Sequence, residues 1–140
     1  WQEQGIEFVA VPVFTSSEAG DAARTLFSRD VDAICQFPDA QIATTVPVLV
    51  AAAARADVPV FVQAANYAQA GAVLALGHDF AQIGEAAAAQ AVRLMRGEAP
   101  STVAPVTVER QRLEVNLRMA RELELVVPPD ILARADTVIR

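Results

Sequence analysis

The sequence predicts an α/β protein with a mainly parallel sheet and helices on both faces of that sheet. Strand-like and helix-like stretches alternate along the chain at a spacing that fits right-handed strand–helix–strand crossovers. One strand-like run, residues 58–62, is apolar at every position, which is typical of a buried parallel strand. A length of 140 residues with 54% hydrophobic residues is sufficient for one packed core.

The first half of the chain carries clear start and stop signals for its elements. Thr15-Ser16-Ser17-Glu18 has the spacing of a capping box and predicts a helix start. Pro47 suits the first turn of a second helix, and Pro12 indicates that the first strand lies at an edge or ends there. We predict strands over residues 6–14, 31–37 and 58–62, helices over residues 15–27 and 46–55, an exit loop over residues 38–41 and a connector over residues 66–70.

The best-specified helix begins at Phe80, after a short apolar strand predicted over residues 72–76. Asp79 is positioned to cap its first turn, and Gly97 supplies the left-handed residue that ends many helices. Gly84 lies inside the helix, where glycine is less stabilising than alanine. Either another backbone approaches closely at this position, or the helix tolerates the loss of stability. Its apolar residues recur at helical spacing and form one stripe, which we expect to face a partner surface. This apolar stripe consists of Phe80, Ile83, Ala87, Ala91, Leu94 and Met95.

The last part of the chain predicts a strand near residues 112–115, a helix over residues 116–125 and a final turn after Pro128-Pro129. Each predicted strand needs an apolar face toward the core. We therefore expect five strand residues to be buried, namely Phe8, Ile34, Cys35, Val60 and Phe61.

Composition and charge exclude several classes of function. The net charge is −6 and every cation is a scattered arginine, which argues against binding to DNA or any other nucleic acid. The longest apolar run, residues 46–54, ends at Arg55 and is shorter than the roughly 20 residues that cross a bilayer. Cys35 is the only cysteine, so the chain cannot form an internal disulfide, and a buried thiol is the simplest interpretation.

Motifs for phosphate binding and nucleophilic catalysis are missing from the sequence. It contains no G-x-G-x-x-G, no G-x-x-x-x-G-K-[ST] and no G-x-S-x-G. One histidine and one cysteine cannot build a His-rich or Cys-rich metal site, so we expect no metal and no cofactor. His78 beside Asp79 could act as an oriented base, but Asp79 is better used as a helix cap. A protein that is not an enzyme is therefore favoured.

Polar residues that follow the predicted strands are the candidate ligand-binding residues, because open α/β sheets bind ligands beyond the carboxyl ends of their strands. Asp39 offers a carboxylate, although a turn aspartate is an equal alternative. Tyr67 offers an aromatic face, although it also fits a residue that covers the core. The amide side chains of Gln63 and Asn66 follow the third strand and could orient a polar ligand. The alternative is that they are ordinary loop side chains hydrated by solvent. The candidate set is Ser16, Asp39, Gln41, Gln63, Asn66 and Tyr67, with Thr15 and His78 in the same predicted loops.

The order of several segments resembles a known family. GIEFVAVPV, VDAICQFPDA, LEVNLRMARELEL and VVPPDILARADTVIR follow one another, with the long helix between the second and the third. The most specific pieces are the Ile83-Gly84 pair, LMRGEAP at residues 94–100, and Pro128-Pro129 followed by LARAD. Together they resemble the ABC-transporter substrate-binding protein family, whose members include binders of tryptophan and other aromatic amino acids.

The resemblance implies a two-lobe, type I periplasmic-binding-protein-like fold that closes on a small solute. Residues 1–140 would be the second lobe with the C-terminal closing segment, and the first lobe would be missing from this chain. Residues 72–77 would cross between the lobes, and the helix from Phe80 would pack on the first lobe. The implied partner is an ABC transporter permease, and the implied location is the periplasm or the cell surface.

The ligand is less well specified by the resemblance. Family members often have Asp-Asn-Thr after the second strand, whereas this chain has Asp39-Ala40-Gln41. The acidic group that often follows the third strand is replaced here by Gln63-Ala64-Ala65-Asn66. An amino acid is thus one candidate, and another small polar or aromatic solute is a second. Two other classes also stay open, namely a ligand-sensing domain of a regulator or receptor and a fragment of an α/β enzyme.

Overall fold

A computed structural model describes residues 2–39 and 44–140 of the chain. The described residues form a five-stranded sheet in which neighbouring strands follow the order of the sequence. The strands are β1 (Ile34–Gln36), β2 (Val60–Val62), β3 (Leu74–His78), β4 (Gln111–Asn116) and β5 (Thr137–Ile139). The helices are α1 (Ala19–Phe27), α2 (Val46–Ala54), α3 (Phe80–Met95), α4 (Leu117–Glu122) and α5 (Pro129–Arg134). Short 3-10 turns cover Gln2–Gln4, Ser16–Glu18 and Pro100–Thr102.

The sheet is mainly parallel, as the sequence predicts. β1 pairs with β2, β2 with β3 and β4 with β5 in parallel, and β3 pairs with β4 in antiparallel. His78 at the end of β3 is in register with Gln111 at the start of β4. The first residues of β4 therefore lie at the same edge of the sheet as the last residues of β1, β2 and β3.

One face of the sheet carries the core, which α2 covers. Ile34, Val60 and Val62 pack in one cluster with apolar side chains of α2. These helix residues are Val46, Val50 and Ala53, all at most 3% exposed. Helix α1 packs beside α2, and its Leu26 and Phe27 reach the same cluster.

The predicted strand over residues 6–14 is wrong. The segment forms no ladder with any described strand, because an apolar pattern becomes a strand only when a neighbouring backbone accepts and donates its hydrogen bonds. Phe8, which we expected to be buried, is 60% exposed. Its ring contacts the ring of Phe37 beyond the end of β1, with centroids 6.2 Å apart.

Two other core predictions fail because of the side-chain alternation of a strand. Ile34 and Val60 are buried as expected, but Cys35 is exposed and Phe61 is half-buried. Successive side chains of a strand point to opposite faces, so Cys35 and Phe61 share the face away from α2. The surrounding protein nevertheless removes enough water to raise the pKa of the Cys35 thiol.

Helix α3 has the predicted ends and contacts the rest of the described chain through its mainly polar side. The Asp79 side chain accepts hydrogen bonds from the backbone N–H groups of Ala81 and Gln82, at 3.0 and 3.4 Å, and Gly97 has a φ of 93°. Among the described residues, no backbone outside the helix approaches Gly84, so the helix simply tolerates this glycine. The side of the helix that is half-buried carries Gln82, Ala86, Gln90 and Arg93. Consequently the apolar stripe faces away from the rest of the described chain, with Phe80 at 68% and Met95 at 86% exposure.

The C-terminal part contains more structure than the predicted turn. The buried side chain of Asn116 accepts a hydrogen bond from the Met119 N–H at 2.9 Å, which caps α4, and donates one to the Ala68 carbonyl at 2.8 Å. After α5 the chain adds β5 to the sheet beside β4, which the sequence pattern did not predict. No helix of the described residues is long and apolar enough to span a membrane.

Candidate functional site

A cavity of about 560 Å³ lies at the edge of the sheet where β1, β2 and β3 end and β4 begins. Because parallel strands end together, residues far apart in the sequence meet at this edge. Five residues from the predicted exit loops line the cavity, namely Asp39, Gln63, Asn66, Tyr67 and His78. Seven further residues complete its wall, namely Gln36, Pro38, Ala64, Ala65, Gly77, Phe80 and Gln111.

Not all predicted site residues meet here. Thr15 and Ser16 are at the turn before α1 and are not among the residues that line the cavity. The Thr15 hydroxyl instead lies 2.9 Å from the hydroxyl of Ser17. Gln41 is outside the described residues.

The loop that follows β2 forms one wall of the cavity, and a buried carboxylate from β4 fixes its position. Asn66 has a φ of 76°, a left-handed conformation that asparagine tolerates better than most residues. Its backbone N–H donates to Glu114 Oε2 at 3.1 Å. Glu114 is only 3% exposed, and its other carboxylate oxygen lies 3.4 Å from Arg112 Nε. The hydrogen bond from Asn66 to Glu114 joins residues 48 positions apart in the sequence.

Gly77 allows the same loop to lie directly against β3. A Cβ atom at this position would be 2.4 Å from the backbone nitrogen of Ala65 and 2.7 Å from the Cα of Ala64. Since both atoms belong to the backbone, no side-chain rotation could relieve that clash. The glycine therefore sets the distance between the strand and the loop that forms the wall.

Gln36, the last residue of β1, lines the cavity and is 7% exposed. Its backbone carbonyl accepts the Gln63 N–H at 3.1 Å, which extends the pairing of β1 with β2. Its side-chain Nε2 donates to the carbonyl of Phe37. Its Oε1 is buried and has no hydrogen-bond partner among the described residues.

Sequence patterns pointed to the loops and missed the residues that strands bring to the site. Gln36 was hidden inside an apolar strand run, where a single polar residue is the only available signal. Gln111 could not be predicted, because its place depends on the antiparallel pairing of β4 with β3. Phe80 was assigned to the apolar stripe, yet it also borders the cavity.

The chemistry of this wall suits binding through hydrogen bonds and apolar contact. Its polar side chains are four amides, one carboxylate, one imidazole and one phenol. Asp79 caps α3, so it does not serve as the partner of His78. Across the described residues, no group of three or more His, Cys, Asp or Glu side chains is placed to hold a metal ion.

A mainly parallel sheet with a cavity at the carboxyl ends of its strands is typical of ligand-binding α/β domains. The chain belongs to the ABC transporter substrate binding protein family, whose family model matches residues 2–139. This confirms the resemblance found in the sequence. No match to the chain was found among curated proteins.

Three solved structures are similar to this chain. A conserved domain protein from Vibrio cholerae has 27% sequence identity and a TM-score of 0.86 over 98% of this chain and 46% of its own. An ABC domain in complex with L-Trp from Streptococcus pneumonia has 22% identity and a TM-score of 0.85 over 99% and 48%. A ligand-free, open substrate binding protein with adhesive properties from Clostridium difficile has 20% identity and a TM-score of 0.67 over 99% and 46%. The chain thus spans less than half the length of each of these proteins.

Proposed function

We propose that this chain is one lobe of a two-lobe protein that binds a small solute in the cleft between the lobes and delivers it to an ABC importer. The observation that carries the proposal is the convergence of polar and aromatic side chains from four strand ends on one cavity. Family membership supports the transport role. In this arrangement the protein's partner is the transporter permease, and its location is the periplasm or the cell surface.

The outward face of α3 supports the presence of a second lobe. The apolar stripe begins at Phe80, which also borders the cavity, and it runs along a helix that buries none of its residues. A lobe packed on this stripe would cover apolar surface and would also close the cavity from the open side. The proposed crossing between the lobes, residues 72–77, overlaps β3. The chain would therefore pass to the other lobe where it leaves the sheet, after His78.

The cavity wall favours a ligand that presents hydrogen-bond donors to this lobe. Asp39 is an acceptor, and the amides of Gln63 and Asn66 offer both donors and acceptors. The described wall contains no arginine, so this lobe offers a ligand carboxylate no guanidinium partner. The ammonium of an amino acid is therefore one candidate group, and an aromatic amino acid such as the tryptophan bound by the Streptococcus protein is one candidate solute.

We infer binding without catalysis. The described wall contains no serine, threonine, cysteine or lysine, and the amides that dominate it can orient a ligand but not transfer its protons efficiently. Turnover of a bound solute by the purified protein would contradict this part of the proposal.

The proposal is tested by calorimetric titration of the complete protein with the twenty amino acids and related indoles and amines. We expect micromolar or tighter binding of at least one solute, which is recovered unchanged from the complex. Absence of binding throughout this panel would argue for another solute class, and chemical conversion would argue for an enzyme.

Replacing Asp39 with alanine tests the position of the site. If the carboxylate meets the solute directly, the variant should lose roughly 1.5 to 3 kcal/mol of binding free energy, and thermal unfolding measured in parallel separates this loss from any loss of stability. Asp32→Ala is the matched control, because Asp32 is exposed and precedes β1 at the opposite edge of the sheet. Equal affinities of the parent and the Asp39→Ala variant would remove Asp39 from the site.

A further inference from the structure

We propose that Gln36, through its Oε1, is a ligand-binding acceptor in the cavity wall that selects solutes carrying an N–H or O–H group. This inference rests on the proposed solute-binding function and names the chemistry that the same cavity recognises. Gln36 is more than nine-tenths buried and lines the cavity.

The orientation of the Gln36 amide follows from its one hydrogen bond. Nε2 donates to the Phe37 carbonyl, and a flipped amide would place two oxygen acceptors against each other. Oε1 is therefore the free end of the amide, and it is buried without a partner among the described residues. A side-chain acceptor in that state is uncommon, because buried polar atoms are nearly always paired in folded proteins.

A purely structural role does not explain a glutamine here. Gln36 is in register with Val62, which is 3% exposed and fills the matching position of β2 with apolar atoms. The strand pairing uses only the backbone of Gln36. An apolar side chain would thus serve the core without leaving an acceptor unpaired, so the polar end of this side chain needs a partner that enters the cavity.

The acceptor is selective because a neutral amide oxygen only accepts hydrogen bonds. It can receive an ammonium, an amide N–H, an indole N–H or a hydroxyl, and it repels a carboxylate. Asp39 on the same wall has the same preference. We infer that the donor-bearing end of the solute points into this lobe.

The test compares Gln36→Met and Gln36→Glu with the parent, all as complete proteins, and Gln69→Met as the control. Gln69 is exposed, lies outside the cavity wall and belongs to the loop that follows β2. The probes are L-tryptophan, tryptamine and indole-3-propionic acid, which differ in their ammonium and carboxylate groups. Binding is measured by calorimetry and unfolding by thermal scans without ligand.

We expect Gln36→Met to weaken binding of a donor-bearing probe by about tenfold, the typical loss of one hydrogen bond, while Gln69→Met leaves it unchanged. Gln36→Glu should favour tryptamine over indole-3-propionic acid relative to the parent. Unchanged affinity of Gln36→Met for every probe that the parent binds would overturn the proposal.

The thermal scans decide the proposal even when the parent binds none of the three probes, a result that would count against an aromatic solute only. An unpaired Oε1 predicts that Gln36→Met loses no more stability than one hydrogen bond accounts for, namely the bond from Nε2 to the Phe37 carbonyl. A larger loss of stability in Gln36→Met, with Gln69→Met unchanged, would mean that Oε1 also has a partner within the protein, and the proposal would be abandoned.

Discussion

Glu114 shows how a single buried side chain of β4 supports the candidate site without lining it. Its carboxylate receives the Asn66 N–H and lies next to Arg112, so one residue of β4 holds the loop that contributes Asn66 and Tyr67 to the wall. Glu114 itself does not line the cavity. Its effect on ligand binding would therefore be indirect, through the position of the loop.

We expect Glu114→Val to lower the free energy of unfolding by about 1–3 kcal/mol, because it leaves the Asn66 N–H without its acceptor and Arg112 without its ion pair. The expected loss of unfolding free energy is limited because the Arg112 side chain is 40% exposed and can be hydrated. Glu114→Gln keeps an acceptor for Asn66 and should lose less. Urea unfolding of the complete protein measures both, with Glu122→Val on the exposed face of α4 as the control; equal stabilities of the two Glu114 variants would refute the role of the acceptor.

At the scale of elements, the Asp136 side chain links the residues just before β5 to strand β4 by a hydrogen bond. One carboxylate oxygen accepts the Leu113 N–H at 2.9 Å, and the other lies 3.3 Å from Arg110. The hydrogen bond from Leu113, and then the neighbouring arginines, lower the pKa of Asp136 below its usual value. The ionised form is thus preferred in the folded protein.

A lowered pKa gives a definite direction to the effect of pH. The contribution of Asp136 to stability is complete above the unfolded-state pKa of about 3.9 and is lost as the pH falls through the lower folded-state pKa. Asp136→Asn keeps an oxygen acceptor for Leu113 but cannot titrate. We expect a shallower loss of stability below about pH 4 for this variant than for the parent in acid-unfolding curves, whereas Asp32→Asn should follow the parent. Parallel curves for Asp136→Asn and the parent would contradict the assignment.

At the scale of the whole molecule, the apolar stripe of α3 is the largest departure from a self-contained domain. Its half-buried side carries polar side chains, and Gln90 Nε2 donates to the Ala104 carbonyl at 3.2 Å. The apolar side is the one left in solvent, which is the reverse of the usual arrangement in a globular protein. Exposed apolar surface of this kind commonly marks an interface.

If a second lobe covers the stripe as proposed, the isolated 140-residue chain should self-associate or unfold easily, whereas the two-lobe protein should not. Sedimentation velocity at increasing concentration measures the association. Phe80→Gln combined with Met95→Gln should reduce it, because both side chains project from the stripe, while Val126→Gln, at an equally exposed position elsewhere, should not. A stable, monomeric isolated chain would show that this surface needs no cover.

The sequence by itself determined the features that depend on local interactions and on the order of elements. The α/β class, the cap of α3 at Asp79 and its end at Gly97 were all predicted, because a cap is a hydrogen bond between residues two or three positions apart and alternation is visible in the chain. The family resemblance rested on the same linear order. The polar loop residues Asp39, Gln63, Asn66 and Tyr67 were found because parallel strands end at one edge.

The tertiary structure alone decided which patterns became strands and which side chains were buried. Residues 6–14 have a strand pattern without a described partner, and Thr137–Ile139 became a strand because β4 provided one. The face on which Cys35 lies, the meeting of Gln36 with Gln111, and the contact of Glu114 with Asn66 depend on strand register and on backbone positions tens of residues apart. Such contacts leave no periodic signal in a single sequence, because hydrogen bonding between distant segments is fixed only when the whole sheet has formed.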